Sequence, residues 1–174
     1  ELFYGVGGAE SNVAMGLAAM GLDAHWVGRV GRDGFGTRIL NDLSSHQVGV
    51  SGVEIDGERA TGLYVKIPST EESEESSVLY YRKDSAGSVM DAGMLDNPAV
   101  AALLEQASLI HLSGITAALS AESRGLLAAL LALPRNGRLF SFDVNWREAL
   151  WAKENKDILR TLANQADVVL VGDS

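Results

Sequence analysis

At 174 residues the chain is long enough for one globular domain with a sizeable core, or for a domain with a small appendage. Hydrophobic residues make up 47% of it, which excludes wholesale disorder, and no apolar run approaches the ~20 residues that cross a bilayer, so a soluble chain is expected. The net charge of −9 without a basic run argues against a nucleic-acid backbone or an anionic membrane as partner. The absence of cysteine excludes disulfides, thiolate catalysis and zinc–thiolate sites. No signal peptide is visible and the expected location is cytoplasmic, although the sequence opens on Glu1 rather than methionine, which leaves a lost leader open.

The first expected element is a helix from Ala9 to Met20, with Val13, Leu17 and Met20 on its inward face and Gly21 as its C-terminal cap. Its small residues, Ala14, Gly16, Ala18 and Ala19, would let it lie close to a sheet. Ala24 to Val30 reads as a buried strand. Asp33 is the candidate N-cap of a second helix carrying Phe35, Ile39, Leu40 and Leu43 inward. From Val50 to Lys83 the pattern becomes strand-like alternation without helices, expected as a small antiparallel sheet inserted into an α/β domain. Within it, Leu63, Val65 and Ile67 share one face and Tyr64 and Lys66 the other; Tyr80 and Arg82 share a face opposite Leu79 and Tyr81. Pro68 to Ser77, with four glutamates, reads as a solvated connection.

Strand and helix then alternate again. Ala107 to Leu112 is an expected strand, Ser120 caps a helix bearing Leu126, Leu127, Leu130 and Leu131, and Arg138 to Asp143 is a second strand. A helix from Asn155 to Ala166 and a strand from Asp167 to Val171 complete the series. Strands separated by helices predict a largely parallel sheet, whose ligands bind beyond the carboxyl ends of the strands. Asp143, Asn145 and Arg147 directly follow one such end.

Two nucleotide motifs fail on inspection. Gly5-Val6-Gly7-Gly8-Ala9-Glu10 has a carboxylate at the third glycine position of a dinucleotide fingerprint, and Gly31 to Arg38 lacks the Gly-Lys-Ser/Thr ending of a P-loop. His25, His46 and His111 have no metal-ligand spacing, and no metal ligands are expected among these residues. What remains is Gly7-Gly8 followed by Asn12 at the start of a small-residue helix. Adjacent glycines let backbone N–H groups approach a ligand closely, and Asn12 offers donors and an acceptor to hydroxyl groups; the same residues could also form an ordinary glycine turn with Asn12 as cap.

The Gly7-Gly8 pair, Asn12, the small-residue helix and Gly31-Arg32-Asp33-Gly34-Phe35-Gly36 together resemble the first signature of the ribokinase-like (phosphofructokinase-B type) carbohydrate kinases. The resemblance runs along essentially the whole chain. It implies a three-layer α/β/α fold with a largely parallel sheet and a small antiparallel β lid over the sugar, with lid strands from about residues 1–6 and 50–83. Within that family the chain is most similar to the 2-keto-3-deoxygluconate kinases, through Gly8-Ala9-Glu10-Ser11-Asn12, Tyr80-Tyr81-Arg82, His111-Leu112-Ser113-Gly114-Ile115-Thr116 and Asp143-Val144-Asn145-Trp146-Arg147.

The implied sugar-acid contacts are Gly7, Gly8, Asn12, Tyr64, Tyr80, Arg82 and Arg147, with Asp143, Asn145 and Gly172 near phosphate or metal, ATP and Mg²⁺ as cofactors, and a homodimer formed through the lid. The residue types agree with that reading, because Arg82 and Arg147 could grip a carboxylate by charge-assisted hydrogen bonds. Structural salt bridges are the alternative for both. The family's Gly-Ala-Gly-Asp motif, which supplies its anion hole and catalytic base, does not occur between Glu1 and Ser174. Its Asn-Xaa-Xaa-Glu motif would begin near Gly172. The family's opening strand is also absent, so the expectation is a fragment at both ends, lacking its C-terminal half and the catalytic aspartate beyond Ser174, and inactive alone. Two alternatives stay open: a fructokinase or other sugar kinase, and a non-catalytic sugar-acid-binding protein.

Overall fold

The structure is a computed structural model that describes residues 5–68, 77–151 and 156–172. Its first helix, α1 (Ala9–Ala19), ends in a Schellman turn: Gly21, at φ +82°, donates to the Ala18 carbonyl, and Leu22 N–H donates to Leu17. The glycine cap is as expected, and Leu17 packs against the core as expected, but one member of the expected inward face departs from it. Ser11, Ala14 and Ala18 are buried, and Met20, expected inward, is 78% exposed at the C-cap. Ala14 and Ala18 pack in one core cluster with Ala24, Leu43 and Val48, and the large side chain at the cap stays outside it.

β1 (Gly28–Gly31) is shorter than expected, with His25 making only an isolated bridge to Gly49. The helix α2 (Gly34–Ser45) starts at Asp33, whose Oδ1 accepts the Gly36 N–H at 2.8 Å. Leu43 and Gly36 are buried, Ile39 and Leu40 half-buried. Phe35, expected inward, is 43% exposed, because Gly36 takes the packed position against the Gly31 carbonyl. A Cβ on Gly36 would sit 2.2 Å from that oxygen, so only glycine fits there. The chain returns as β2 (Val53–Asp56), which pairs in parallel with β1, Arg29 opposite Glu54. This corrects the expected antiparallel block, since a strand that follows a crossover helix naturally runs parallel to its predecessor. The Arg29 guanidinium fixes the register, donating to Glu54 Oε2 at 2.7 and 2.9 Å and to the Val89 carbonyl at 2.9 Å.

Antiparallel pairing among the described residues is that of β3 (Leu63–Ile67) with β4 (Ser77–Tyr81). The expected acidic connection lies at residues 69–76, outside the described residues, as do residues 1–4 of the expected first lid strand. Two 3-10 turns, Ala86–Val89 and Ala92–Asp96, and α3 (Pro98–Gln106), capped by Asn97, then lead to the second parallel unit. That unit consists of β5 (Leu109–Ser113), α4 (Gly114–Leu119), α5 (Ala121–Leu131), β6 (Leu139–Asp143), α6 (Glu148–Trp151), α7 (Asp157–Ala163) and β7 (Val168–Leu170). Its sheet order is β5–β6–β7, all parallel.

Alternation along the strands sorts this sheet into two faces. Ile110, Leu112, Phe140 and Phe142 point to one side, where they form the main core with Ala117, Leu127, Leu131, Trp151, Leu159 and Leu162 from α4 to α7. Each large side chain fully buried there contributes on the order of 1.5–3 kcal/mol. On the other face Leu109, Leu139, Val168 and Leu170 remain exposed. No described helix is long and apolar enough to cross a membrane.

Candidate sugar and phosphate site

Gly8 leads into α1 in extended conformation, and its carbonyl accepts both Asn12 N–H at 3.0 Å and the Ser11 hydroxyl at 3.2 Å. This leaves the Asn12 side chain exposed and without a described hydrogen bond. Directly above lies the β3–β4 hairpin. Tyr64 and Tyr80 are register partners with ring centroids 6.4 Å apart, and the Tyr64 hydroxyl comes so close to Gly7 that a Cβ there would lie 2.1 Å from it. A side chain at Gly7 would have to displace the Tyr64 hydroxyl.

Arg82 follows the end of β4, and its guanidinium carbon stacks 4.2 Å from the Tyr80 ring centroid. Its Nη2 is buried and has no hydrogen-bond partner among the described residues. Burial lowers the guanidinium pKa, an effect opposed by the Tyr80 phenol once it is ionised and by the Glu10 carboxylate; the group nonetheless stays protonated at any working pH. Gly7, Tyr64, Tyr80 and Arg82 thus gather on one wall, with Gly8 and Asn12 beside them.

The second group of expected residues sits at the carboxyl ends of the parallel strands. Ser113, Asp143 and Leu170 lie in one register row across β5, β6 and β7. Beyond it Asn145, at φ +39°, turns the chain and donates its N–H to Asp143 Oδ1 at 3.0 Å; asparagine tolerates this left-handed conformation better than most residues. Trp146 stacks on Trp151, and the Arg147 carbonyl accepts the N–H groups of Leu150 and Trp151 as α6 begins. The Arg147 side chain is exposed, and no described hydrogen bond or ion pair joins it to the lid. Gly172 is exposed two residues beyond β7.

Three residues of this region, Glu10, Ser113 and Thr116, carried no site assignment from sequence. The Thr116 hydroxyl, in α4, donates to Glu10 Oε1 in the first turn of α1. Ser113, which caps α4 by accepting Ile115 N–H, is the register partner of Asp143, so the β5–α4 junction stands between the two groups. Both Glu10 and Thr116 fall inside motifs of the resemblance, but 106 positions separate them and no local pattern signals their pairing.

The profile of the pfkB family carbohydrate kinases matches residues 1–174. The chain belongs to that family. A 2-dehydro-3-deoxygluconokinase of Bacillus subtilis (strain 168) is 37% identical over 94% of this PfkB chain and 50% of its own length. A fructokinase of Zea mays is 31% identical over 96% of this chain and 50% of its own. Among solved structures, a PfkB protein from Polaromonas sp. JS666 superposes with a TM-score of 0.84 at 36% identity, covering 94% of this chain and 54% of that one. A sugar kinase from Pyrococcus horikoshii, in complex with ATP, superposes with a TM-score of 0.80 at 26% identity, over 94% and 52%. These likenesses establish the ribokinase-like fold expected from the sequence. The chain spans about half the length of the curated relatives it matches.

Proposed function

We propose that the whole protein phosphorylates a sugar acid, 2-keto-3-deoxygluconate, on its terminal hydroxyl, with ATP as donor and Mg²⁺ as counter-ion. The observation that carries this reading is Arg82: a desolvated guanidinium nitrogen without a partner among the described residues, held over Tyr80 at the wall formed by Gly7 and Tyr64. A substrate carboxylate supplies the missing acceptor, whereas a neutral sugar offers only weaker dipoles to a buried charge. Gly8 and Asn12 would bind sugar hydroxyls, and Arg147 would meet the same anion from beyond β6.

In the reaction the sugar hydroxyl oxygen bonds to the γ-phosphorus, the bond from that phosphorus to the β–γ bridging oxygen breaks, and the hydroxyl proton passes to a carboxylate base. ADP and the 6-phosphate leave. No Gly-Ala-Gly-Asp occurs in the 174 residues, so the base belongs to the remainder of the protein under this proposal. Mg²⁺ in phosphoryl transfer takes one or two carboxylates together with phosphate oxygens. Asp143 suits that role, since one of its oxygens is held by Asn145 N–H and the other has no described partner; Asn145 and Gly172 would flank the phosphates.

The test is a panel of sugars and sugar acids offered to the whole protein. The expected result is a kcat/KM for 2-keto-3-deoxygluconate at least about tenfold above that for fructose or ribose. A preference for fructose, the second reading, is favoured by the fructokinases among the relatives and would sink the sugar-acid assignment. Saturable binding without turnover would instead support a non-catalytic protein.

The lid also bears on assembly. Its outer face pairs Leu63 with Tyr81 and Val65 with Leu79, and Val65, Leu79 and Tyr81 are exposed, the last at 62%. Under this proposal a second copy covers that apolar face, as free strand edges and exposed apolar surface favour. Val65→Lys together with Leu79→Glu should convert a dimer to a monomer in light scattering at micromolar concentration. A wild-type protein that is already monomeric there would refute the pairing.

A further inference from the structure

The sugar wall and the phosphate side of the candidate site stand on different elements. Gly7, Gly8 and Asn12 lead into and open α1, whereas Asp143 ends β6 and Asn145 follows it. The β5–α4 junction joins them. At Gly114 a Cβ would lie 2.1 Å from the Val144 carbonyl oxygen, so the start of α4 is seated directly on the segment between Asp143 and Asn145. Ser113, buried and the register partner of Asp143, caps the same helix by accepting Ile115 N–H at 3.2 Å. Ala117, the next residue after Thr116, is buried in the main core. Thr116 thus stands on a fixed platform, and its hydroxyl donates to the carboxylate of Glu10, in the first turn of α1 between Gly8 and Asn12. Printed contacts therefore run without a break from the Asp143–Asn145 turn, through Gly114 and Thr116, to the helix start that presents the sugar wall.

We infer that the Thr116–Glu10 hydrogen bond sets the spacing between the sugar wall and the phosphate side, which makes both residues positioning residues for phosphoryl transfer. The inference rests on the kinase reading given above. Transfer needs the sugar oxygen in line with the γ-phosphorus, and a misplacement of ~1 Å costs about 100-fold in rate. A hydrogen bond to a carboxylate is among the stronger kinds, so it suits a tie between two helix starts. The bond itself touches neither substrate. Each substrate keeps its own wall when the bond is lost, and what suffers is their mutual alignment.

The experiment compares the whole wild-type protein with Thr116→Val, Thr116→Ser, Glu10→Ala and the double variant Thr116→Val/Glu10→Ala. It measures kcat, KM for ATP, KM for 2-keto-3-deoxygluconate and for fructose, and the ratio of ATP consumed to sugar phosphorylated. Thr116→Val and Glu10→Ala should each lower kcat at least about tenfold while every KM stays within about twofold. Serine keeps a hydroxyl and should hold kcat within about twofold of wild type. The double variant should be no slower than the slower single one, because all three remove the same bond. A misaligned sugar hydroxyl also lets water take its place: the water oxygen bonds to the γ-phosphorus, the bond to the β–γ bridging oxygen breaks, and ADP and inorganic phosphate leave. ATP consumed should then exceed sugar phosphorylated in the variants that lack the bond. An unchanged kcat in either single variant, a loss confined to the sugar KM, or kcat losses that multiply in the double variant would overturn the tie and leave the substrate assignment standing. A wild-type preference for fructose overturns the sugar-acid assignment alone, and the fructose kinetics of the same variants then decide the tie. A wild-type protein that phosphorylates neither overturns both.

Discussion

Replacing Arg82 with methionine is expected to lower kcat/KM for the sugar acid by about 100-fold, equivalent to about 2.7 kcal/mol of transition-state stabilisation. The size follows from truncating one partner of a desolvated charge pair, where the substrate carboxylate is left buried without its donor. Most of the loss should appear in KM, because a carboxylate remote from the reacting hydroxyl is gripped alike in the ground and transition states. Lysine should recover only part of the activity, since it keeps the charge but loses the planar fork and the stack on Tyr80. Stability should move the other way. An unpaired buried guanidinium nitrogen is a liability in the ligand-free fold, so the methionine variant should melt no lower than wild type. Steady-state kinetics with the sugar acid and with fructose, alongside a melting curve, check both halves. Equal loss for acid and neutral sugar, with a lower melting temperature, would mean that Arg82 is structural.

Arg82 stood out in the sequence through the family resemblance, with β-alternation setting it on the Tyr80 face, and local rules of that second kind account for most of what could be read. Gly21 as a helix cap, Asp33 as an N-cap, Ser120 before α5 and the β5–β6–β7 series are all set by neighbours within a few residues. What failed was decided at longer range. Met20 and Phe35 have the hydrophobicity of core residues, but Ala14, Ala18 and Gly36 take the buried positions, Gly36 because the Gly31 carbonyl leaves no room for a side chain. β2 alternates as an antiparallel strand would, and only its pairing with β1 reveals the parallel sense. α3 and α4 carried too short a period to register in the sequence. Glu10 and Thr116 were invisible as a pair, since a hydrogen bond between two helices leaves no spacing to recognise.

The largest stability effect is expected at Asp33, which reads in the sequence as a helix N-cap and as part of a sugar-kinase signature and proves to tie three segments together. Its Oδ1 accepts the Gly36 N–H and the Thr61 hydroxyl, each at 2.8 Å, and its Oδ2 accepts the Thr61 N–H at 2.8 Å. Thr61 is buried and receives the Gly31 N–H at 2.9 Å, so one carboxylate ties β1, the start of α2 and the approach to β3 together. Asp33→Ala removes a helix cap worth about 1 kcal/mol and strands the buried Thr61 N–H at a cost of about 1–3 kcal/mol. The combined loss should be about 2–4 kcal/mol, readable as a lower urea midpoint of the whole protein.

The effect should also depend on pH with a definite sign. Burial pushes the Asp33 carboxyl upward, but the Thr61 and Gly36 N–H groups and the Thr61 hydroxyl outweigh it and hold the folded value below the ordinary 3.8. A carboxyl that is more acidic when folded stabilises fully above its unfolded pKa and loses that contribution as pH falls through the folded one. The gap between wild type and Asp33→Ala should therefore be constant from about pH 5 to 8 and narrow below about pH 4. Asp33→Asn retains the cap but not the charge, so it should lie between the two at pH 7 and approach wild type in acid. A gap of equal size at pH 7 and pH 3 would assign the whole effect to geometry and none to the carboxylate charge.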